Sequence, residues 1–212
     1  MLYDCFIFFN ELELLDIRLN TLNDIIDKFV IVEATRTFTG KPKELFFKKN
    51  KNKFAKFLDK IVYIIVNDFP DSENPWNFEK HQRNAIGRGL SNCQPDDIIL
   101  ISDIDEIPRP EVVLNVKDLP GVKALRQNLY YYYLNVKSQG DWLHGTRIVF
   151  YKDFTNAQDI RMNNGKLFAN GGWHFSYLGG AEQIKLKIRS FSHQEFNTEK
   201  IFKNIDKAIR KN

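Results

Sequence analysis

The chain has 212 residues, of which 43% are hydrophobic and 27% charged, with 18 Phe in an aromatic share of 14%. A composition of this kind belongs to a globular domain that buries about 70% of its unfolded surface, and it excludes a disordered chain, a collagen and a coiled coil. The net charge of +4 is unevenly placed: residues 41–60 hold eight Lys against Glu44 and Asp59, whereas residues 96–118 hold seven acids against Arg109 and Lys117.

Cys5-Phe6-Ile7-Phe8-Phe9 reads as a buried strand. Leu12, Leu15, Leu19 and Leu22 then fall on one face of a helix over residues 11–22. Phe29–Val32 is predicted as a second strand and Thr35–Pro42 as a loop broken by Gly40 and Pro42. A surface helix is expected over Asn50–Leu58 and a third strand over Ile61–Val66. Asn74-Pro75-Trp76 marks a helix start, with Pro75 in the first turn, and that helix is expected to reach Leu90. Ile98–Ile101 is the fourth strand.

These four strands are continuous apolar runs, the pattern of strands covered on both faces. A mainly parallel sheet with helices on both faces is therefore expected. Past residue 121 the style changes. Leu129–Leu134, Arg147–Tyr151 and Trp173–Tyr177 carry polar interruptions and predict a smaller mixed or antiparallel section. Glu182–Arg189 and Thr198–Arg210 read as closing helices. No repeat, low-complexity run or Gly/Ser linker divides the chain, so residues 1–212 are taken as a single α/β domain. No segment approaches the roughly 18–20 apolar residues that span a bilayer, and the N-terminus lacks the pattern of a secretory signal. Cys5 and Cys93 are too few for a disulfide framework or a zinc cluster. A cytoplasmic protein is expected.

The sharpest chemical feature is Ile98-Ile99-Leu100-Ile101-Ser102-Asp103-Ile104-Asp105-Glu106-Ile107-Pro108. Extended-chain periodicity puts Asp103 and Asp105 on one face and turns Ile104 into the core. They stand at the carboxyl end of a strand, where open α/β sheets bind ligands. Two adjacent carboxylates repel unless a cation sits between them, and a hard divalent ion, Mg²⁺ or Mn²⁺, suits oxygen ligands. A bare Asp-X-Asp is a common acidic turn. Four aliphatic residues before it and Glu-Ile-Pro-Arg-Pro after it distinguish this one. The lysines of residues 41–60 read first as a solvated face.

Several segments together resemble glycosyltransferase family 17, the family of bisecting N-acetylglucosaminyltransferases, which has the GT-A fold. They are Tyr3–Leu12, Phe29–Ala34 with Thr37-Phe38-Thr39-Gly40, Gln82-Arg83-Asn84, Asp103–Pro108 and Gly172-Trp173-His174-Phe175-Ser176. The resemblance covers most of the chain. It implies an inverting enzyme that moves a sugar, GlcNAc by family, from a UDP-sugar to a glycan or glycoconjugate acceptor with Mn²⁺ or Mg²⁺. Residues 1–108 would form the nucleotide-sugar and metal half, and residues 109–212 the acceptor half. No nucleic-acid partner is expected.

Carried onto this chain, the resemblance implies that Asp105 holds the metal and that Asp103 reaches it, or the ribose, through water. His174 would be a further metal ligand. Phe9, Asn10, Glu11, Glu33, Thr35 and Arg83 would contact the donor. Glu182 is the expected base for the acceptor hydroxyl, with Asp141 as the other candidate. Trp142 and Trp173 would meet the acceptor sugar. No N-terminal anchor and stem like those of the Golgi relatives is expected from these residues, which leaves the acceptor open between an N-glycan and other glycans. Two rival classes are a metal-dependent nucleotidyltransferase, which would release pyrophosphate, and a carbohydrate- or nucleic-acid-binding module that works without metal. A glycosyltransferase that binds without turnover is a third.

Overall fold

The computed structural model describes residues 1–211. The first half runs β1 (Leu2–Phe8), α1 (Leu12–Leu22), β2 (Lys28–Ala34), α2 (Phe46–Asn50), β3 (Ile61–Val66), α3 (Pro75–Asn84), β4 (Ile98–Asp103) and β5 (Glu106–Pro108). The second half runs α4 (Pro110–Val116), β6 (Lys123–Leu125), β7 (Gln127–Tyr131), β8 (Lys137–Trp142), β9 (Arg147–Phe150), α5 (Ala157–Met162), β10 (Lys166–Phe168), β11 (Gly172–Ser176), α6 (Gly180–Ser190) and α7 (Glu199–Lys211).

Seven strands form the main sheet in the order β10-β6-β9-β4-β1-β2-β3. The four expected strands pair in parallel around β1, and β9 runs antiparallel to both its neighbours. Alternation along each strand divides the side chains between two cores. Phe6, Phe8, Ile98 and Leu100 pack against α1 on one face. Cys5, Val30, Ile99 and Ile101 pack on the other, with Ile86 and Ile160. This is the expected mainly parallel sheet covered on both sides. A second, mixed sheet follows the order β5-β11-β7-β8. Among the described residues no helix is long and apolar enough to cross a membrane.

Three departures from expectation have local causes. The helix expected over Asn50–Leu58 is the short α2 followed by a 3₁₀ run, Lys51–Phe57. Phe47, Phe54 and Phe57 are all buried there, and a tighter winding lets all three reach one core. The helix that starts at Asn74 leaves α geometry at Ala85 and continues to Leu90 as 3₁₀. Gly89 lies so close to β2 that a Cβ would stand 2.5 Å from Val30 Cγ1. The strand at Arg147–Phe150, expected in the smaller section, instead joins the main sheet as β9 between β4 and β6. β6, β9 and β10 extend the first half's sheet, β5 pairs with β11, and one core contains both Phe6 and Phe175.

α1 carries a charge on its apolar face. Arg18 is fully buried among Leu15, Leu19 and Leu22. Its Nε donates to Asp4 Oδ2 at 2.8 Å and its Nη2 to Asp4 Oδ1 at 2.6 Å. Nη2 also reaches Ser102 Oγ at 2.6 Å. Nη1 donates to the carbonyls of Asp103, Ile104 and Glu106 at 3.0, 3.3 and 2.9 Å. The guanidinium therefore ties down the whole turn between β4 and β5. Arg18→Met leaves Asp4 charged and buried without its partner, so equilibrium urea unfolding should show a loss of about 3–5 kcal/mol.

Candidate active site

The carboxyl ends of β1, β2 and β4 finish level, with Ile7 opposite Asp103 and Phe8 opposite Glu33. A cavity of about 640 Å³ opens there. Phe9 and Glu11 line it from the first turn, and Arg36, Thr37 and Phe38 from the loop after β2. Gln82 and Arg83 of α3 and the acidic turn Asp103–Glu106 line it as well. The far wall is Tyr131, Trp142, His174, Ser176 and Tyr177, and Lys187, Ser190 and Phe191 close it from α6 and its end. Both halves of the chain thus contribute to one cleft.

Every acid of the turn is already partnered. Arg83 Nη2 donates to Asp103 Oδ1 at 3.0 Å, and Arg161 Nη2 stands 3.3 Å from Oδ2. Burial raises the Asp103 pKa, but these two guanidiniums outweigh it and hold it down at about 2. Lys187 Nζ donates to Asp105 Oδ2 at 2.7 Å. Burial again opposes ionisation of Asp105, and Lys187 and His174 overcome it, holding the carboxyl far below the usual carboxylate range. Glu106 is different, because burial dominates and its pKa is raised. Its Oε1 accepts from Trp142 Nε1 at 2.6 Å and Arg161 Nη2 at 2.5 Å, and its Oε2 from the backbone N–H of Asp103 at 3.0 Å.

The donors present suit a divalent ion in a limited way. Asp105 Oδ1 and His174 Nε2 face each other at 3.6 Å, too far for a hydrogen bond, and His174 Nδ1 is buried without a partner. A carboxylate oxygen with an imidazole nitrogen is a fitting pair for Mn²⁺. Among the described residues no group of three or more His, Cys, Asp or Glu is arranged to hold a metal. An ion held here would take two ligands from the described residues and its remaining ligands from water and substrate, a composition that suits an ion binding together with phosphates.

The structure brings Phe9, Glu11, Arg83, Asp103, Asp105, Trp142 and His174 to this cavity. It places the other expected site residues elsewhere. Asn10 stands at the rim, where its Nδ2 reaches Gln183 Oε1 at 3.4 Å. Glu33 is fully buried beneath the site. Its carboxylate accepts from Tyr63 Oη at 2.6 Å and from Phe47 N at 3.2 Å, so it anchors the start of α2. Thr35 bonds to the Val66 carbonyl through N–H and hydroxyl, and its neighbours Arg36 and Thr37 take the place expected of it. Trp173 points away from the cavity because strand side chains alternate. His174 and Ser176 face the cleft, while Trp173 packs under the Arg109 guanidinium at 4.4 Å.

Neither expected base lines the cavity. Glu182 is 84% exposed and pairs with Lys185 at 2.8 Å, and that lysine lowers its pKa. The face of α6 that meets the cleft carries Lys187 and Ser190, so Glu182 lies on the solvent side. Asp141 precedes Trp142 on β8 and points to the other side of the strand, where it pairs with Arg126 at 3.2 Å.

Sequence reasoning missed Lys187, Arg161 and Glu106 as site residues, whereas Tyr131, in the aromatic run 130–133 that reads as a possible sugar-stacking surface, does line the cavity. Helical spacing held a signal for one of them, since Gln183 and Lys187 share a turn face with Ser190. By sequence Lys43 belongs to the lysine-rich stretch expected to face solvent. It instead turns inward to line the cavity, its Nζ 5.4 Å from the Phe9 ring centre.

The family sequence model of glycosyltransferase family 17 matches residues 1–211. The chain belongs to glycosyltransferase family 17. It is similar to the β-1,4-mannosyl-glycoprotein 4-β-N-acetylglucosaminyltransferases of Homo sapiens and Mus musculus, at 25% and 29% identity over 88% of this chain and 42% of each relative. It thus spans less than half the length of these curated relatives. Among solved structures it overlaps a galactosyltransferase, LgtC, in complex with donor and acceptor sugar analogues, at 13% identity and a TM-score of 0.42, over 96% of this chain and 82% of the other.

The placement of Glu33 is open to a direct check. Glu33→Ala strips the acceptor from Tyr63, Phe47 and Lys43 and should cost about 1–3 kcal/mol in urea unfolding. A residue whose only role was to touch a ligand would show no such loss.

Proposed function

We propose that this chain is a glycosyltransferase that moves a sugar, N-acetylglucosamine, from a UDP-sugar to a glycan hydroxyl with inversion, assisted by Mn²⁺ or Mg²⁺. The observation that carries the reading is the cleft at the ends of β1, β2 and β4, where Asp103 and Asp105 stand with Arg83 and Lys187. Acids and cations at one strand end suit a metal bound together with a diphosphate. The names of the family relatives support the choice of sugar.

Asp105 and His174 would hold the metal, whose chemistry is to neutralise charge on the departing diphosphate. Arg83 adds a fixed, planar positive charge that matches phosphate oxygens. Asp103, locked between Arg83 and Arg161, is shaped to accept from a ribose hydroxyl or a metal-bound water. Phe9, Arg36 and Phe38 offer the nucleoside an aromatic and cationic pocket. Trp142 and Tyr131 form the wall toward the acceptor, and Trp142 is held there by Glu106. A single displacement needs a base for the acceptor hydroxyl, and that base has to be a group that faces the cavity, which Glu182 and Asp141 do not.

The test is a panel of nucleotide sugars with and without Mn²⁺, read by thermal shift and then by product analysis. A donor at about 100 times its Kd adds about 2.7 kcal/mol of stability. UDP-GlcNAc should raise the Tm of the wild type only with metal, and transfer should release UDP. Pyrophosphate among the products would instead establish the nucleotidyltransferase class, and the absence of any shift would sink the reading. Asp105→Asn should lower transfer on the order of 100-fold. Glu182→Gln should leave the rate unchanged, and a collapse in that variant would restore Glu182 as the base.

A further inference from the structure

Lys187 reaches into the cleft from α6 and occupies the carboxylate that a metal would need. Its Nζ lies 2.7 Å from Asp105 Oδ2, with the lysine side chain 31% exposed and the aspartate 7%. The remaining oxygens of the acidic pair are similarly engaged. Asp103 Oδ1 faces Arg83, and Oδ2 faces Arg161. Only Asp105 Oδ1, opposite His174 Nε2 at 3.6 Å, is without a strong permanent cation.

The consequence follows from ligand number and charge. A divalent ion entering alone finds two protein ligands, one of which it shares with an ammonium. Like charges held on one carboxylate repel, and displacing Lys187 would strip that lysine of its partner inside the cleft. A nucleoside diphosphate changes both conditions. Its oxygens complete the shell of the ion, and they give Lys187 an anion to move to. α6 is well placed to sense that arrival, because Gln183 on the same helix face touches Asn10 at the first strand-to-helix turn at 3.4 Å.

We propose that Lys187 is an internal counter-ion that makes metal binding conditional on the diphosphate. It holds Asp105 while the cleft is empty and passes to the diphosphate when the donor enters with its cation. Metal and nucleotide are thereby coupled through one side chain, and the cleft resists loading with metal alone. This inference rests on the UDP-sugar reading of the site.

The experiment measures Mn²⁺ affinity by the electron paramagnetic resonance signal of the free ion, with and without saturating UDP. Wild type, Lys187→Met and Lys187→Arg are compared, with circular dichroism as the check that each is folded. The wild type should bind Mn²⁺ weakly alone and about tenfold or more tightly with UDP, a coupling of ordinary size for linked sites. Lys187→Met should bind Mn²⁺ alone more tightly than the wild type, bind UDP more weakly, and lose most of the coupling. Lys187→Arg keeps a cation at this place and should retain the coupling. If the wild type binds Mn²⁺ and UDP but Lys187→Met shows the same Mn²⁺ affinity and the same coupling, the role of Lys187 is overturned and the donor reading stands. If the wild type binds no UDP in the presence or absence of Mn²⁺, the donor reading falls and this proposal falls with it.

Discussion

The acidic turn after β4 has to bend sharply enough to put Asp103, Asp105 and Glu106 on one rim, and that bend aims backbone carbonyls into the core. Buried carbonyls without partners are costly. Arg18 removes that cost by donating to three of them from below, and Asp4 removes the cost of burying Arg18 by taking two of its N–H groups. The arrangement stabilises only as a unit, since either ion alone in that core would be strongly unfavourable. The shape of the cleft floor therefore depends on a cation delivered by α1 and an anion delivered by β1.

From that floor the order spreads outward through Glu106. Its carboxylate takes the Asp103 backbone N–H, the Arg161 guanidinium and the Trp142 indole. One buried side chain thus joins the end of the main sheet, the helix α5 and the edge of the second sheet. The turn that carries the acids therefore also fixes the cleft wall at Trp142.

Within the cleft Asp103 is held by Arg83 and Arg161, and Asp105 by Lys187. Such pairing keeps the carboxylates charged despite burial, because the attraction of Arg83, Arg161 and Lys187 exceeds the penalty of desolvation. It also means that an incoming ion or phosphate exchanges partners with the protein rather than meeting bare charge.

Much of the framework was legible in the sequence. Uninterrupted runs such as Phe29–Val32 and Ile98–Ile101 identify strands covered on both faces, and the same pattern puts Asp103 and Asp105 at the open end of a strand. Short elements such as β5, β6 and β10 were not legible, because three residues carry no periodicity and owe their extended form to a neighbouring strand. Loop and helix-start residues were the least readable. Glu33 and Glu182 look alike as polar residues at the ends of elements, yet one is buried under α2 and the other stands in solvent. By itself the sequence determined the four parallel strands at the centre of the main sheet, their cover on both faces and the position of the acidic pair, since these follow from local patterns of apolar side chains. Only the tertiary structure decided which charges meet. Lys187 and Asp105 are 82 residues apart, and their contact depends on how α6 docks across the cleft, a matter of packing between distant segments that local pattern does not encode.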